Sequence, residues 1–367
     1  MRLPIKVGLL AILLALCASA PATALPGNRF FGVKDWVFHP TQNELTRVAG
    51  AGIGTYRLDL LWPRVEPYRG MRDWSEYDQI VAQASRAGVT IFPTLFGSPQ
   101  FVSHNPLLEP RTASDLRGWR RFVRDAVLRY GRHGRFWAAN PGVPYRPITV
   151  WQVWNEPNFP AYWAPRPNAR EYASFLKATG ATIKRADRLA KVATGGLPES
   201  RHGIPIATFL RQIYRYPHIR PAFDGVAINP YARAAPGVEG AVRRVRAIMD
   251  SRGDRHGSIW ITELGWSTGG PRNPFRTTLR GQAALLSSTY RLLLRIRHHY
   301  RIGLVVWFSL RDRKLFKGER DWWAPHTGLF DVRGNPKPAW QALVNATGGQ
   351  PGRGALAQGR PVLLGPR

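Results

Sequence analysis

Between residues 30 and 340, short apolar runs alternate with longer stretches of helical spacing. The runs cover residues 30–33, 55–59, 90–95, 149–154, 191–195, 225–229, 258–262 and 303–308, and most carry little polar alternation. Strands covered on both faces read that way. Among the intervening segments, Leu45, Val48 and Ala49 share a helical face, as do Tyr77, Ile80, Val81 and Ala84. Leu116, Trp119, Phe122, Val123, Ala126 and Val127 form one stripe, with Arg117, Arg120, Arg121 and Arg124 largely off it. Residues 168–187, 206–214, 238–250, 278–297 and 338–346 complete the series. Glu171, three after Asn168, predicts a capping-box start, and Pro338 suits a first helical turn, where its missing N–H is not needed.

Eight strand-then-helix units predict an α/β chain closed into a (β/α)8 TIM barrel over residues 28–346. The competing open, doubly wound sheet wants a phosphate-cradling glycine pattern after its first strand. Phe31-Gly32-Val33-Lys34-Asp35 has none. Gly195-Gly196, at a strand end, reads as room for a close backbone approach. Two excursions interrupt the rhythm. Residues 131–147 precede the fourth strand and so belong to the bottom of the barrel, where stability is the expected role. Residues 311–327 follow the eighth strand on the opposite face and hold Trp322, Trp323 and His326. Those two tryptophans are placed either to line a leaving-group or extended glycan site or to cover the rim.

The chain ends change the picture. Arg2 and Lys6, the apolar run 7–16 and Ala22-Thr23-Ala24 read as a signal peptide over residues 1–24, cleaved near Ala24. An uncleaved anchor is the alternative, though the run is short beside the ~18 apolar residues of a full span. The only cysteine, Cys17, lies inside this segment, so the exported chain has no disulfide scaffold. A secreted or cell-wall associated monomer without a membrane span is the expectation. Residues 347–367, rich in glycine, proline, arginine and small residues, are expected to be disordered. Fifty-three basic residues against 23 acidic give a net charge of +30, mostly arginine spread over the chain. Spread charge favours anionic surfaces and polymers without selecting one. No helix-turn-helix, zinc-finger or single-strand-binding signature accompanies it, and an export signal argues against nucleic acid as partner.

Two glutamates carry the candidate chemistry. Glu156 follows the fourth run and Glu263 the seventh, and a carboxyl at the tip of a buried strand is costly unless used. In a closed barrel, strand ends far apart in sequence meet at one mouth. Glycoside cleavage with retention needs such a pair, one carboxyl protonated to assist the leaving group and one ionised to attack the anomeric carbon. Arg57, on the second strand, is the natural counter-charge for Glu263, with a structural salt bridge to Asp59 as its alternative. The Tyr231 hydroxyl is placed to donate to the same carboxylate. Glu156 is the better acid because Trp154 and Pro157 make its neighbourhood drier. Asn155 is expected to donate toward a sugar 2-hydroxyl, and Trp307 and Trp266 to form the floor beneath the ring. Asp35 and Trp36, after the first strand, either touch substrate or pack the mouth. The nine histidines show no metal-ligand spacing, and no cofactor is expected.

Together these residues resemble retaining glycoside hydrolases of the (β/α)8 clan A, above all family 39 and, more distantly, family 5. The marks are Asn155-Glu156-Pro157, Glu263, Arg57 and Trp307, with the run Trp151 to Asn158 and the closing segments Thr327-Gly328-Leu329-Phe330-Asp331 and Pro336-Lys337-Pro338-Ala339-Trp340. The resemblance implies Glu156 as acid/base and Glu263 as nucleophile on a β-linked glycan, with a bacterial polysaccharide, anionic by charge steering, as the substrate to test. One departure stands out. Many relatives carry histidine before the Pro-Tyr of the sixth strand, and this chain has Asn229, which hydrogen-bonds but carries no proton near neutrality. The rival from another class is a non-catalytic glycan or cell-wall binding protein on the same scaffold.

Overall fold

The computed structural model describes residues 27–36 and 39–356. The expected signal segment 1–24 and residues 357–367 lie outside that range. Eight parallel strands form the wall: β1 Phe31–Lys34, β2 Thr55–Leu61, β3 Thr90–Phe96, β4 Val150–Val153, β5 Lys191–Ala193, β6 Gly225–Asn229, β7 Ser258–Leu264 and β8 Ile302–Phe308. Neighbours in sequence pair, β8 returns to β1, and the β5–β6 pairing through Ala193 and Gly225 completes a closed (β/α)8 barrel. A two-residue continuation of β5, Leu197–Pro198, pairs further along β6. The helices that cover the wall are α1 Gln42–Gly50, α2 Ser75–Arg86, α3 Ala113–Tyr130, α4 Ala169–Ala186, α5 Ile206–Tyr214, α6 Ala235–Ser251, α7 Leu279–Ile296 and α8 Pro338–Thr347, with a further single turn at Trp62–Val65. At the start of α4 the Asn168 side chain accepts from the backbone N–H groups of Arg170 and Glu171, satisfying two orphan donors of the first turn.

Strand alternation sorts the wall into two surfaces. Outward residues join the large core beneath the helices, Trp151, Val153, Ile261 and Trp307 among them. Inward, Phe92, Ala193, Ala227, Trp260, Leu304 and Val306 fill the lumen with an apolar plug. Above the plug the inward positions become polar: Lys34, Arg57, Asp59, Thr94, Gln152, Asn229 and Thr262, each hydrogen-bonded to another of the set. A floor of packed hydrocarbon thus supports a charged layer at the C-terminal end of the strands, where barrel sites are built.

The excursion before β4 forms a one-turn helix, Arg135–Ala139, that buries Phe136 and Trp137 and donates Trp137 Nε1 to the Tyr130 carbonyl. Of the segment 347–367 expected to be disordered, the described residues 347–356 pack against the barrel. Arg47 Nε and Trp340 Nε1 both donate to the Pro351 carbonyl, and the Leu356 N–H bonds Gly334 with its side chain buried. Gly348 turns the chain at φ 73°, in the left-handed region that glycine occupies without strain, and directs it back over α1. No helix among the described residues is long and apolar enough to cross a membrane.

Candidate active site

A kink in the chain beyond β4 presents Glu156. Trp154 at φ 70° and Glu156 at φ 44° both lie where bulky residues are uncommon. Such outliers persist only when their surroundings hold them. Here Trp154 is fully buried against Phe96, Trp119 and Phe175, and its indole donates to the Tyr162 carbonyl at 2.9 Å. Its own carbonyl accepts from Gln152 Nε2 at 3.0 Å. With the tryptophan pinned outward, the kink swings Glu156 over the mouth.

Glu263 reaches the mouth by a different device. Ile261 pairs with Val305 and Leu264 with Trp307, so β7 spends one more residue than β8 between those rungs. This is a β-bulge, which re-aims a side chain. Strict alternation would send Glu263 outward beneath the helices. With the bulge, Thr262 and Glu263 both face the lumen.

The two carboxyls receive unequal partners. Arg57 Nη1 donates to Glu263 Oε1 at 2.6 Å and the Tyr231 hydroxyl to Oε2 at 2.8 Å. The Arg57 guanidinium is itself held at every side, through Nε to Gln152 Oε1 at 3.1 Å and Nη2 to Asn155 Oδ1 at 3.0 Å. Asp59 is paired with Lys34 at 2.8 Å, so the alternative of an Arg57–Asp59 bridge is not realised. Glu156 Oε1 accepts from Asn229 Nδ2 at 2.7 Å, a neutral donor. Burial, and then the nearby charge of Glu263, push the Glu156 carboxyl up to about 8, against smaller lowering contributions from Asn229, Arg57 and Lys34. Burial and the same two carboxylates raise the Tyr231 phenol well above its usual range, keeping it a donor.

Both carboxyls open onto one cleft of about 2170 Å³. Asp35, Trp36, Trp322 and Trp323 line it. Asp35 is pushed up to about 6 by burial, offset in part by Arg311, whose Nε lies 2.6 Å away. Trp36 packs its edge on Phe308 and carries the Arg313 guanidinium over its ring at 4.6 Å. Trp323 stands against Tyr231 at 4.7 Å, and Trp322, 38% exposed, donates to Glu319.

Trp307 and Trp266 depart from the sequence expectation. Both are fully buried outside the cleft, in tilted contact at 5.9 Å, with their indoles donating to Thr327 and Ala232 carbonyls. The cause at Trp307 is strand parity: Val306 and Phe308 are the inward residues of β8, which turns Trp307 to the helices. Phe308 and Trp36 occupy the apolar cleft positions instead. Sequence reasoning also missed Gln152, Lys34, Tyr162, Arg313 and Thr262. Gln152 and Thr262 were discoverable from alternation within β4 and β7, whereas Arg313 comes from an irregular loop. Among the described residues no group of three histidine, cysteine or acidic side chains could hold a metal ion.

No protein-family model and no curated protein matches the chain. Solved structures do. A family 39 glycoside hydrolase from the gut symbiont Bacteroides cellulosilyticus WH2 is 22% identical with a TM-score of 0.63, over 88% of this chain and 65% of that one. A monomeric β-xylosidase from Caulobacter crescentus CB15 is 19% identical at 0.64, over 88% and 69%. A thermostable mutant of a xylanase from Cellvibrio japonicus is 16% identical at 0.61, over 87% and 97%. The chain therefore spans less than two thirds of the first of these, and at such identities the likeness is one of fold.

Proposed function

We propose that this protein is a retaining glycosidase that cleaves a β-linked glycan by double displacement, with Glu263 as nucleophile and Glu156 as acid/base. The observation that carries the reading is the inequality of two carboxyls sharing one cleft: a cation and a phenol on Glu263, and on Glu156 a single neutral amide and a carboxyl pushed up by burial and by the charge of Glu263. Carboxyls of different protonation are what the reaction needs.

In the first step Glu156 gives its proton to the glycosidic oxygen. The bond from that oxygen to the anomeric carbon breaks, its electron pair leaving with the aglycone, while a Glu263 oxygen bonds the same carbon. In the second step Glu156, now a carboxylate, takes a proton from water as the water oxygen attacks, and the Glu263 ester bond breaks. Arg57 and Tyr231 stabilise the carboxylate that is released. With Asn155 Oδ1 committed to Arg57, its Nδ2 is the end that donates to a sugar hydroxyl. Trp36, Trp322 and Phe308 offer apolar faces to the rings.

A polysaccharide substrate is favoured by the volume of the cleft, about 2170 Å³, which is larger than a single sugar requires. An anionic one is favoured by its rim, where Arg201, Arg233 and Lys317 are exposed and have no carboxylate partner among the described residues. Export to the cell surface remains part of this proposal, resting on the signal-like segment 1–24. A turnover screen on neutral and uronate-bearing β-glycans at low and high salt tests it. Release of reducing ends by the wild type and not by E263Q supports the reading, with the acidic glycans favoured at low salt. Binding without turnover across the screen supports the non-catalytic rival.

A further inference from the structure

Thr262 sits beside Glu263, fully buried, and strand alternation from Trp260 turns its hydroxyl to the lumen. It donates to Asn229 Oδ1 at 2.8 Å, while Asn229 Nδ2 donates to Glu156 Oε1 at 2.7 Å. The second contact of that hydroxyl, to the Ile228 carbonyl, is longer, at 3.4 Å. A carboxamide has one accepting and one donating end, so a donor fixed on the oxygen determines which way the NH2 points. The opposite face of this pair is closed by Gly196. A Cβ there would lie 2.6 Å from Thr262 Oγ1 and 2.7 Å from Asn229 Oδ1, closer than atoms approach without a shift. The chain thus brings bare backbone against the contact and leaves the amide little room to turn over.

We infer that Thr262, backed by Gly196, is a positioning residue that holds the Asn229 amide with its NH2 on Glu156 and so sets the acid/base carboxyl's affinity for its proton. The inference rests on the assignment of Glu156 as acid/base. With the NH2 on Oε1 the anion is favoured. A flipped amide would offer its oxygen instead and favour the protonated carboxyl. Glu156 also feels Glu263 from β7, Arg57 from β2, Lys34 from β1, and the Tyr162 and Tyr231 phenols from the loops after β4 and β6. None of these changes in a Thr262 variant.

The test is a titration of Glu156 by carbon-13 NMR of its carboxyl, assigned with E156Q, alongside the pH profile of turnover. T262V keeps the shape and loses the hydroxyl, T262S keeps the hydroxyl, and N229A removes the intermediary. The Glu156 midpoint and the alkaline limb of the profile should rise by about one pH unit in T262V. They should return to the wild-type position in T262S and be unmoved by adding T262V to N229A. An unshifted midpoint in T262V, or equal shifts in the T262V and T262S variants, would overturn the inference. Should T262V fold poorly, G196A applies the same question from the other side, with the same expected rise and the same contrary result. Because the NMR midpoint needs no turnover, an absence of glycosidase activity would count against the proposed function and leave this test readable.

Discussion

The tips of β4 and β7 present the same side chain to the same cleft by opposite means. At β4 a backbone kink carries Glu156 out over the mouth, where a single neutral amide meets it and burial pushes its carboxyl up to about 8. At β7 a bulge between Ile261 and Leu264 turns Glu263 inward, between a guanidinium and a phenol. Two close carboxyls cannot both ionise cheaply, and the chain resolves the conflict by giving one a countercharge and the other only a neutral amide. Two identical side chains are thus made unlike by their partners, Arg57 on β2 and Tyr231 after β6 for one, Asn229 on β6 for the other.

Breaking the β4 side has the largest expected effect among the supporting tests. E156A should lose roughly 10³-fold on a glycoside with a poor leaving group, the scale of general acid catalysis, and far less on a nitrophenyl glycoside. The alkaline limb near pH 8 should vanish with it, because that limb marks loss of the Glu156 proton as pH rises; stopped assays across pH read both. On the β7 side, R57M leaves Glu263 buried beside Tyr231 without its cation. Turnover should fall roughly 10²-fold and thermal unfolding should shift down, since removing one partner of a buried pair costs about 3–5 kcal/mol. A variant as stable and active as the wild type would mean the guanidinium is incidental. The smallest change, Y231F, removes one donor and keeps the ring against Trp323, so about a tenfold drop in kcat at unchanged stability is expected. That result sharpens the contrast by dividing the support of Glu263 between its cation and its phenol.

Much of this arrangement was legible in the amino-acid order. Strand β6 and helix α5 fall on the residues their patterns indicate, because uninterrupted apolar runs and 3.6-residue stripes are set by burial on known faces. Both glutamates, Arg57 and Tyr231 could be named from strand ends alone. What failed depended on register. A one-residue offset decides whether a side chain enters the lumen or the helical layer, so Trp307 was assigned to the floor when Phe308 holds that position. The bulge that rescues Glu263 from the same fate leaves no mark in the run Ile259-Trp260-Ile261-Thr262-Glu263. It becomes visible only when Ile261 and Leu264 are matched to β8. Residues 348–356 are illegible for another reason: their contacts with Arg47, Gly334 and Trp340 run through backbone carbonyls and N–H groups, which composition does not reveal.

The proposed mechanism requires Glu263 to form a covalent bond to the sugar. Intact-protein mass spectrometry after incubation with a panel of 2-deoxy-2-fluoro β-glycosides bearing a good leaving group tests it directly. Addition of one fluoroglycosyl unit is expected, mapped by peptide fragmentation to Glu263 and absent from E263Q. An adduct on Glu156, or none with a fluoroglycoside that binds in the cleft, would contradict it.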